Sequence, residues 1–355
     1  MIFAYIGISV LWIFLFCYII IASIDFGAGF FTLHAKITKQ DKKINHLIAR
    51  YLNPVWEVTN VFFVFFFVGM VGFFPDAAKY FGTVLLLPAS IALILLSIRG
   101  GFYAFENYGP DTKLPWLAMY GIAGLLIPAA LATTLTISEG GYITGTENHL
   151  DLNWLELLLS PYSWSVVFLA IISVLYISSG FLTFYASKAK DKPAYDLLRY
   201  WFLIWGAPMI AVSLFVFLSL RLQNEGHFLN AVTNYWWMFL LSFICFVGAM
   251  LLTLMKKGHG FAFILVILQM GFAFFGYGAS KLPYILYPYI RIDEGVVNSS
   301  MAIALIIVFI LGLLLLIPSL ILLLRLFVFD KKYVEGKNNL IFSNVVILIE
   351  SNDFN

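Results

Sequence analysis

Four charged residues stand where charge is expensive: Asp25, Glu57, Arg99 and Glu106 all lie within or against long apolar runs. A charge at the centre of a spanning helix costs about 2.5–3.5 kcal/mol on insertion scales, so it faces a partner or a water-filled path. Carboxylates there can exchange protons, because desolvation raises a carboxylate pKa while a neighbouring cation lowers it. Asp25 precedes Lys36 by eleven residues, about 16 Å at helical rise, and Glu57 follows Arg50 by seven, about 10 Å. Arg99 lies about 15 Å before the Gly-Pro-Asp at 109–111, within reach of the depth of Asp25. Glu106 follows on the same helix face, closer to water. Two readings stay open from these residues alone: a proton-handling group, or a structural ion pair of Arg99 with Asp25 or Glu57.

The elements that hold these charges are read from composition. The chain has 355 residues, 62% hydrophobic and 11% charged, against about 25% charged in soluble domains. No dense basic face suits nucleic acid. The expected fold class is an all-α integral membrane protein. Nine segments reach the ~20 apolar residues a spanning helix needs: 3–27, 55–75, 80–105, 114–136, 162–186, 200–220, 235–255, 260–280 and 300–328. The first has no basic leader or cleavage signal and reads as a retained helix. Fifteen Lys and Arg fall in the connections after odd-numbered segments and four in the others. The N-terminus is therefore expected outside and the odd connections in the cytoplasm.

"TKQD" (38–41) reads as a helix start. Ile44, Leu47, Ile48, Tyr51 and Leu52 follow at helical spacing, which predicts a short amphipathic helix on the inner surface. "GFFTLHAK" (29–36) is echoed by "GFLTFYASK" (180–188), which predicts two parallel four-helix bundles and a peripheral ninth helix. The corresponding divisions are 1–136, with the acids; 137–280; 281–337, an outer loop rich in Tyr and Pro plus the ninth helix; and a tail, 338–355, without an assigned role. The glycines of "DFGAGFF" read as small residues for close helix packing. Cys17 and Cys245 form no CxxC and read as buried thiols. His34, His46, His149, His227 and His259 fall in connections or at helix ends, so no haem ligand and no metal site is assigned to this chain.

"DFGAGFF" (25–31), the basic connection after it, "PVWE" (54–57), "FP" (74–75) and Arg99 together resemble subunit II of cytochrome bd-type quinol oxidases, with "YPYI" (287–290) as a weaker match. Thr59 and Phe62 depart from that pattern, which usually has Asn and Trp there. The resemblance implies a haem-free subunit of a heterodimer in the bacterial plasma membrane. Its partner, subunit I, would hold haems b and d, oxidise quinol on the outer side and reduce oxygen to water, with or without a small accessory subunit. It further implies that Asp25 and Glu57 belong to a path for cytoplasmic protons; Arg99 and Glu106, on one face of the third segment, are the candidate charge partners by position. The competing reading is a proton- or ion-coupled transporter or channel using the same two acids; a purely structural scaffold is the third.

Overall fold

In the computed structural model, residues 2–108, 114–146, 149–292, 299–323 and 325–326 are described, without the side chains of 50–59, 103–108, 145–146, 149–150, 299 and 323. Twelve helices form nearly all of it. The first five are α1 (Ile2–Ile37), α2 (Asp41–Phe73), α3 (Pro75–Val84), α4 (Leu86–Tyr108) and α5 (Leu114–Ser138). A small hairpin, β1 (Ile143–Thr146) and β2 (His149–Leu152), leads to the short α6 (Trp154–Leu159). Next come α7 (Pro161–Ala189), α8 (Lys192–Gln223), α9 (Glu225–Asn234), α10 (Trp236–Leu254) and α11 (His259–Lys281). A second hairpin, β3 (Tyr284–Leu286) and β4 (Ile290–Arg291), precedes α12 (Ser299–Leu323).

Seven of these helices are long and apolar enough to cross a membrane, and an eighth span results if the end of α2 is joined to α3. That pair is bent by 120°. The bend has a local cause: Pro75 keeps Phe74 out of helical geometry (φ −133°, ψ 67°) and then starts α3 in the first-turn position proline tolerates. The described apolar stretch of α4, Leu86–Phe102, is shorter than a full span. Residues 80–84, expected at the start of the third span, belong instead to α3, which ends before Leu85.

α1 is 36 residues long, about 54 Å, and overreaches a ~30 Å hydrocarbon core. Its continuation packs beside α2, so the expected inner-surface helix does not stand alone. Ile44, Leu47 and Ile48 lie in the first turns of the 33-residue α2 and are fully buried against α1, α7 and α8. Tertiary burial captures the apolar stripe that sequence periodicity assigns to the membrane surface. The expected cap also differs: Thr38 bonds back to the His34 carbonyl at 2.8 Å, Gln40 occupies the cap position, and Asp41 pairs with Lys36 at 3.1 Å.

The α7–α8 hairpin ends beside the α1–α2 hairpin. Asp191 caps α8 through Ala194 N and meets His46 of α2 at 3.0 Å. Farther along, α1 and α7 touch where Gly27 leaves no room for a side chain: a Cβ there would lie 2.7 Å from the Val174 carbonyl oxygen and closer still to Ser178. Ser178 Oγ donates to the Ile24 carbonyl at 3.0 Å. The echoed stretches put Gly27 and Ser178 in equivalent positions, so the two helices cross at matching points. The described part of the Tyr- and Pro-rich outer loop packs into the protein. Leu286, Ile290 and Ile292 are buried in the core, while Tyr287 and Tyr289 stay partly exposed. Residues 293–298 and the tail 338–355 lie outside the described residues. Cys17 and Cys245 are unpaired thiols.

Candidate functional site

α1, α4 and α5 converge on one buried charge pair. Asp25 and Arg99 are 2% and 0% exposed, and Arg99 Nη2 lies 3.0 Å from Asp25 Oδ1. The guanidinium also donates to the Tyr120 carbonyl at 2.9 Å and to the Asp25 carbonyl at 3.2 Å. Tyr120 Oη sits 3.5 Å from Asp25 Oδ1. Aromatic faces enclose the cation: its centre is 4.1 Å from the Tyr120 ring centroid and 5.0 Å from Phe26. Phe102 stacks on the other face of Tyr120 at 4.2 Å. A planar fork reaching a carboxylate and two carbonyls together is a task for arginine, not lysine.

Two glycines make the space. A Cβ at Gly29 would lie 3.0 Å from Arg99 Nη1, and one at Gly124 would lie 2.9 Å from the same atom. The "GAG" of α1 thus admits both a neighbouring helix, at Gly27, and a guanidinium, at Gly29. Glu57 lies on α2 and Glu106 on α4, but the side chains of both fall outside the described residues.

The structure also assembles a cluster that sequence reading passes over. Glu139, just past α5, is fully buried and meets His227 Nδ1 of α9 at 3.0 Å and Lys281 Nζ of α11 at 3.3 Å. Asn224 Nδ2 donates to it at 3.0 Å, and Tyr277 donates through a short bond. Lys281 also donates to Ser138, and His227 Nε2 lies 2.8 Å from Ser280 Oγ. Burial pushes the Glu139 carboxyl up, but the Lys281 charge and the His227 contact outweigh it and hold the group at about 2. His227 and Lys281 lie 88 and 142 positions from Glu139, so no local spacing announces them. The available hint is compositional: an acid, a histidine and a lysine at ends of apolar segments on one side.

Among the described residues, no three His, Cys, Asp or Glu side chains gather as a metal site. His227 has both ring nitrogens engaged, and His46 faces Asp191. His34 packs against Phe30 and Trp201.

Comparison with known proteins places this arrangement. The sequence profile of the family described as cytochrome bd terminal oxidase subunit II matches residues 3–327. The chain belongs to the cytochrome bd oxidase subunit II family. It is 34% identical over 341 residues to a Bacillus subtilis (strain 168) protein named as a cytochrome bd menaquinol oxidase subunit II, covering 94% of this chain and 97% of the relative. It also matches a chain of the bd oxidase structure from Geobacillus thermodenitrificans, with 52% identity and a TM-score of 0.81. That match covers 93% of this chain and 100% of the other. The resemblance carried by "DFGAGFF", "PVWE" and Arg99 is therefore correct. As a subunit II of the cytochrome bd family, the chain is a multi-span membrane protein. It forms part of a quinol oxidase, an oxidoreductase complex in which a subunit I is its implied partner.

Proposed function

We propose that this chain is the haem-free subunit of the oxidase, supporting subunit I and delivering cytoplasmic protons to the site where oxygen becomes water. Haems b and d and the quinol chemistry belong to the partner, and His227, with both ring nitrogens engaged, supports that division. In this reading α1, α2, α4, α5, α7, α8, α10, α11 and α12 are nine spans of a bacterial plasma-membrane protein. The first eight form two parallel four-helix bundles, and α12 lies at the periphery. The N-terminus faces outside, so the α1–α2 and α7–α8 connections face the cytoplasm, in line with their Lys and Arg. Protons taken from inside, with quinol protons released outside, make the complex electrogenic.

The observation that carries the reading is the buried Asp25–Arg99 pair at the meeting of three helices. A charge buried inside a membrane protein faces a partner, and Arg99 supplies one for Asp25 while Tyr120 offers a hydroxyl beside it. Glu57 and Asp25 together relay the proton inward from the α1–α2 connection, with Arg99 and Glu106 as their charge partners. Membership of the oxidase family removes the reason to read these acids as the ion site of a transporter.

Glu57→Gln and Asp25→Asn in the assembled oxidase test this. Quinol-driven oxygen uptake is expected to fall about tenfold or more, the effect of some 1.4 kcal/mol on the barrier, with haem content unchanged. Undiminished uptake at normal haem content overturns the relay. Loss of haem or of subunit I instead assigns the acids a structural role.

A further inference from the structure

A cavity opens at the other end of α7 from the Asp25 pair. Ser178 meets α1 beside Asp25, and Tyr162 precedes it by 16 residues, about 24 Å along the helix. There α6, α7, α8 and the segment at Tyr142 border an open cleft of about 420 Å³. The rim is apolar: Leu155, Leu159 and Leu222 line it and are strongly exposed. The inner wall is polar, with Tyr142, Ser160, Tyr162 and Gln223, and Glu156 at its edge.

The protons of that wall can be assigned one by one. Tyr142 Oη donates to Gln223 Oε1 at 2.9 Å. Each hydroxyl has one proton, so Ser160 Oγ, 2.7 Å away, is the donor to Tyr142. Tyr277 gives its proton to Glu139, so Tyr162 donates to Tyr277 at 3.1 Å. One Gln223 N–H goes to the Gly140 carbonyl at 2.8 Å. The buried Glu139 cluster thus orients the floor, and every hydroxyl proton of Tyr142, Ser160 and Tyr162 is spent inside the protein. What these three hydroxyls keep for the cavity is lone pairs, beside the second N–H of Gln223. Glu156 adds a carboxylate, and among the described residues no Lys or Arg lines the space.

We propose that this cavity binds the head of a membrane lipid that donates hydrogen bonds and carries no net negative charge, its acyl chains leaving over the leucine rim. An ammonium or sugar hydroxyls satisfy an acceptor-rich wall beside a carboxylate; a net anionic head is repelled by Glu156. The site shares no residue with the proton path, so it stands or falls independently of it.

The assembled oxidase, stripped of lipid and re-exchanged in separate samples with phosphatidylethanolamine, diglycosyl diacylglycerol or phosphatidylglycerol, tests this by native mass spectrometry. The intact complex is expected to retain the ethanolamine or the glycosyl lipid about tenfold better than phosphatidylglycerol, the scale of one charge-assisted hydrogen bond. Which of the two is retained identifies the head. Gln223→Leu and Leu159→Trp, the latter filling the cavity without touching the polar wall, are each expected to abolish that preference; if Gln223→Leu does not assemble, Leu159→Trp alone decides. Equal retention of phosphatidylglycerol, or unchanged retention in the Leu159→Trp complex, overturns the proposal.

Discussion

Arg99 is the residue on which the first half of the core turns. It was legible in the sequence as a charge too deep to be incidental, and Asp25 as the acid at its depth. Tyr120 was not legible, because its contribution is a backbone carbonyl and a ring face delivered from α5. Arg99→Leu leaves the Asp25 carboxylate buried without its cation, an error that costs about 3–5 kcal/mol in buried pairs. The expected result is poor assembly and lost haem in the purified complex. Arg99→Lys keeps the charge but cannot bridge Asp25 and the Tyr120 carbonyl together. It is expected to assemble with a lowered melting temperature, read by differential scanning of the detergent-solubilised oxidase. In the second half the position equivalent to Asp25 is Tyr176, which donates to Gln269 Oε1 at 2.8 Å. A neutral hydrogen bond there takes the place of an ion pair.

At the scale of elements, small residues decide which helices meet. Gly27 was readable as a packing glycine, but the sequence did not say what it packs against. The structure sets it on α7 at Ser178 and Val174, while Gly29 and Gly124 face the guanidinium. Gly27→Val would drive two methyl groups into the Val174 backbone, and Val174 cannot withdraw without moving α7. Overpacking of this kind costs about 1–3 kcal/mol or more. The expected outcome is a lower melting temperature than Gly82→Ala, a change at a glycine with open space around it. The bent α2–α3 joint and the break between α8 and α9 were missed for a related reason. Proline at 75 marks a break, but the sequence does not show that a ten-residue helix follows each joint. Asn224 makes the second joint by capping α9 through His227 N at 3.1 Å.

For the whole molecule, the Glu139 cluster ties the end of α5 to α9 and α11, and so joins the first part of the chain to the second. Its pH dependence has a definite sign. The folded carboxyl titrates at about 2, below the ~4.3 of an unperturbed glutamate. Its contribution to stability is therefore complete above the unfolded value and is lost as pH falls toward about 2. Melting temperatures of the wild-type complex are expected to drop between pH 5 and 3 more steeply than those of Glu139→Gln. The variant itself is expected to melt lower at pH 7, since Lys281 then lacks its counter-charge. Identical pH slopes in the two would remove Glu139 from this role.

Composition and hydropathy by themselves determined that the chain is a helical membrane protein, because lipid accepts no unpaired backbone and each span must be long and apolar. Local motifs determined the family, since "DFGAGFF", "PVWE" and a deep arginine are read directly along the chain. Tertiary structure alone decided which charges meet. Asp25 finds Arg99 across 74 positions and Glu139 finds Lys281 across 142. It likewise decided that the stripe at Ile44, Leu47 and Ile48 packs on protein and not on lipid. An apolar face has the same sequence whether a bilayer or another helix covers it, and only the packing of the neighbours tells the two apart.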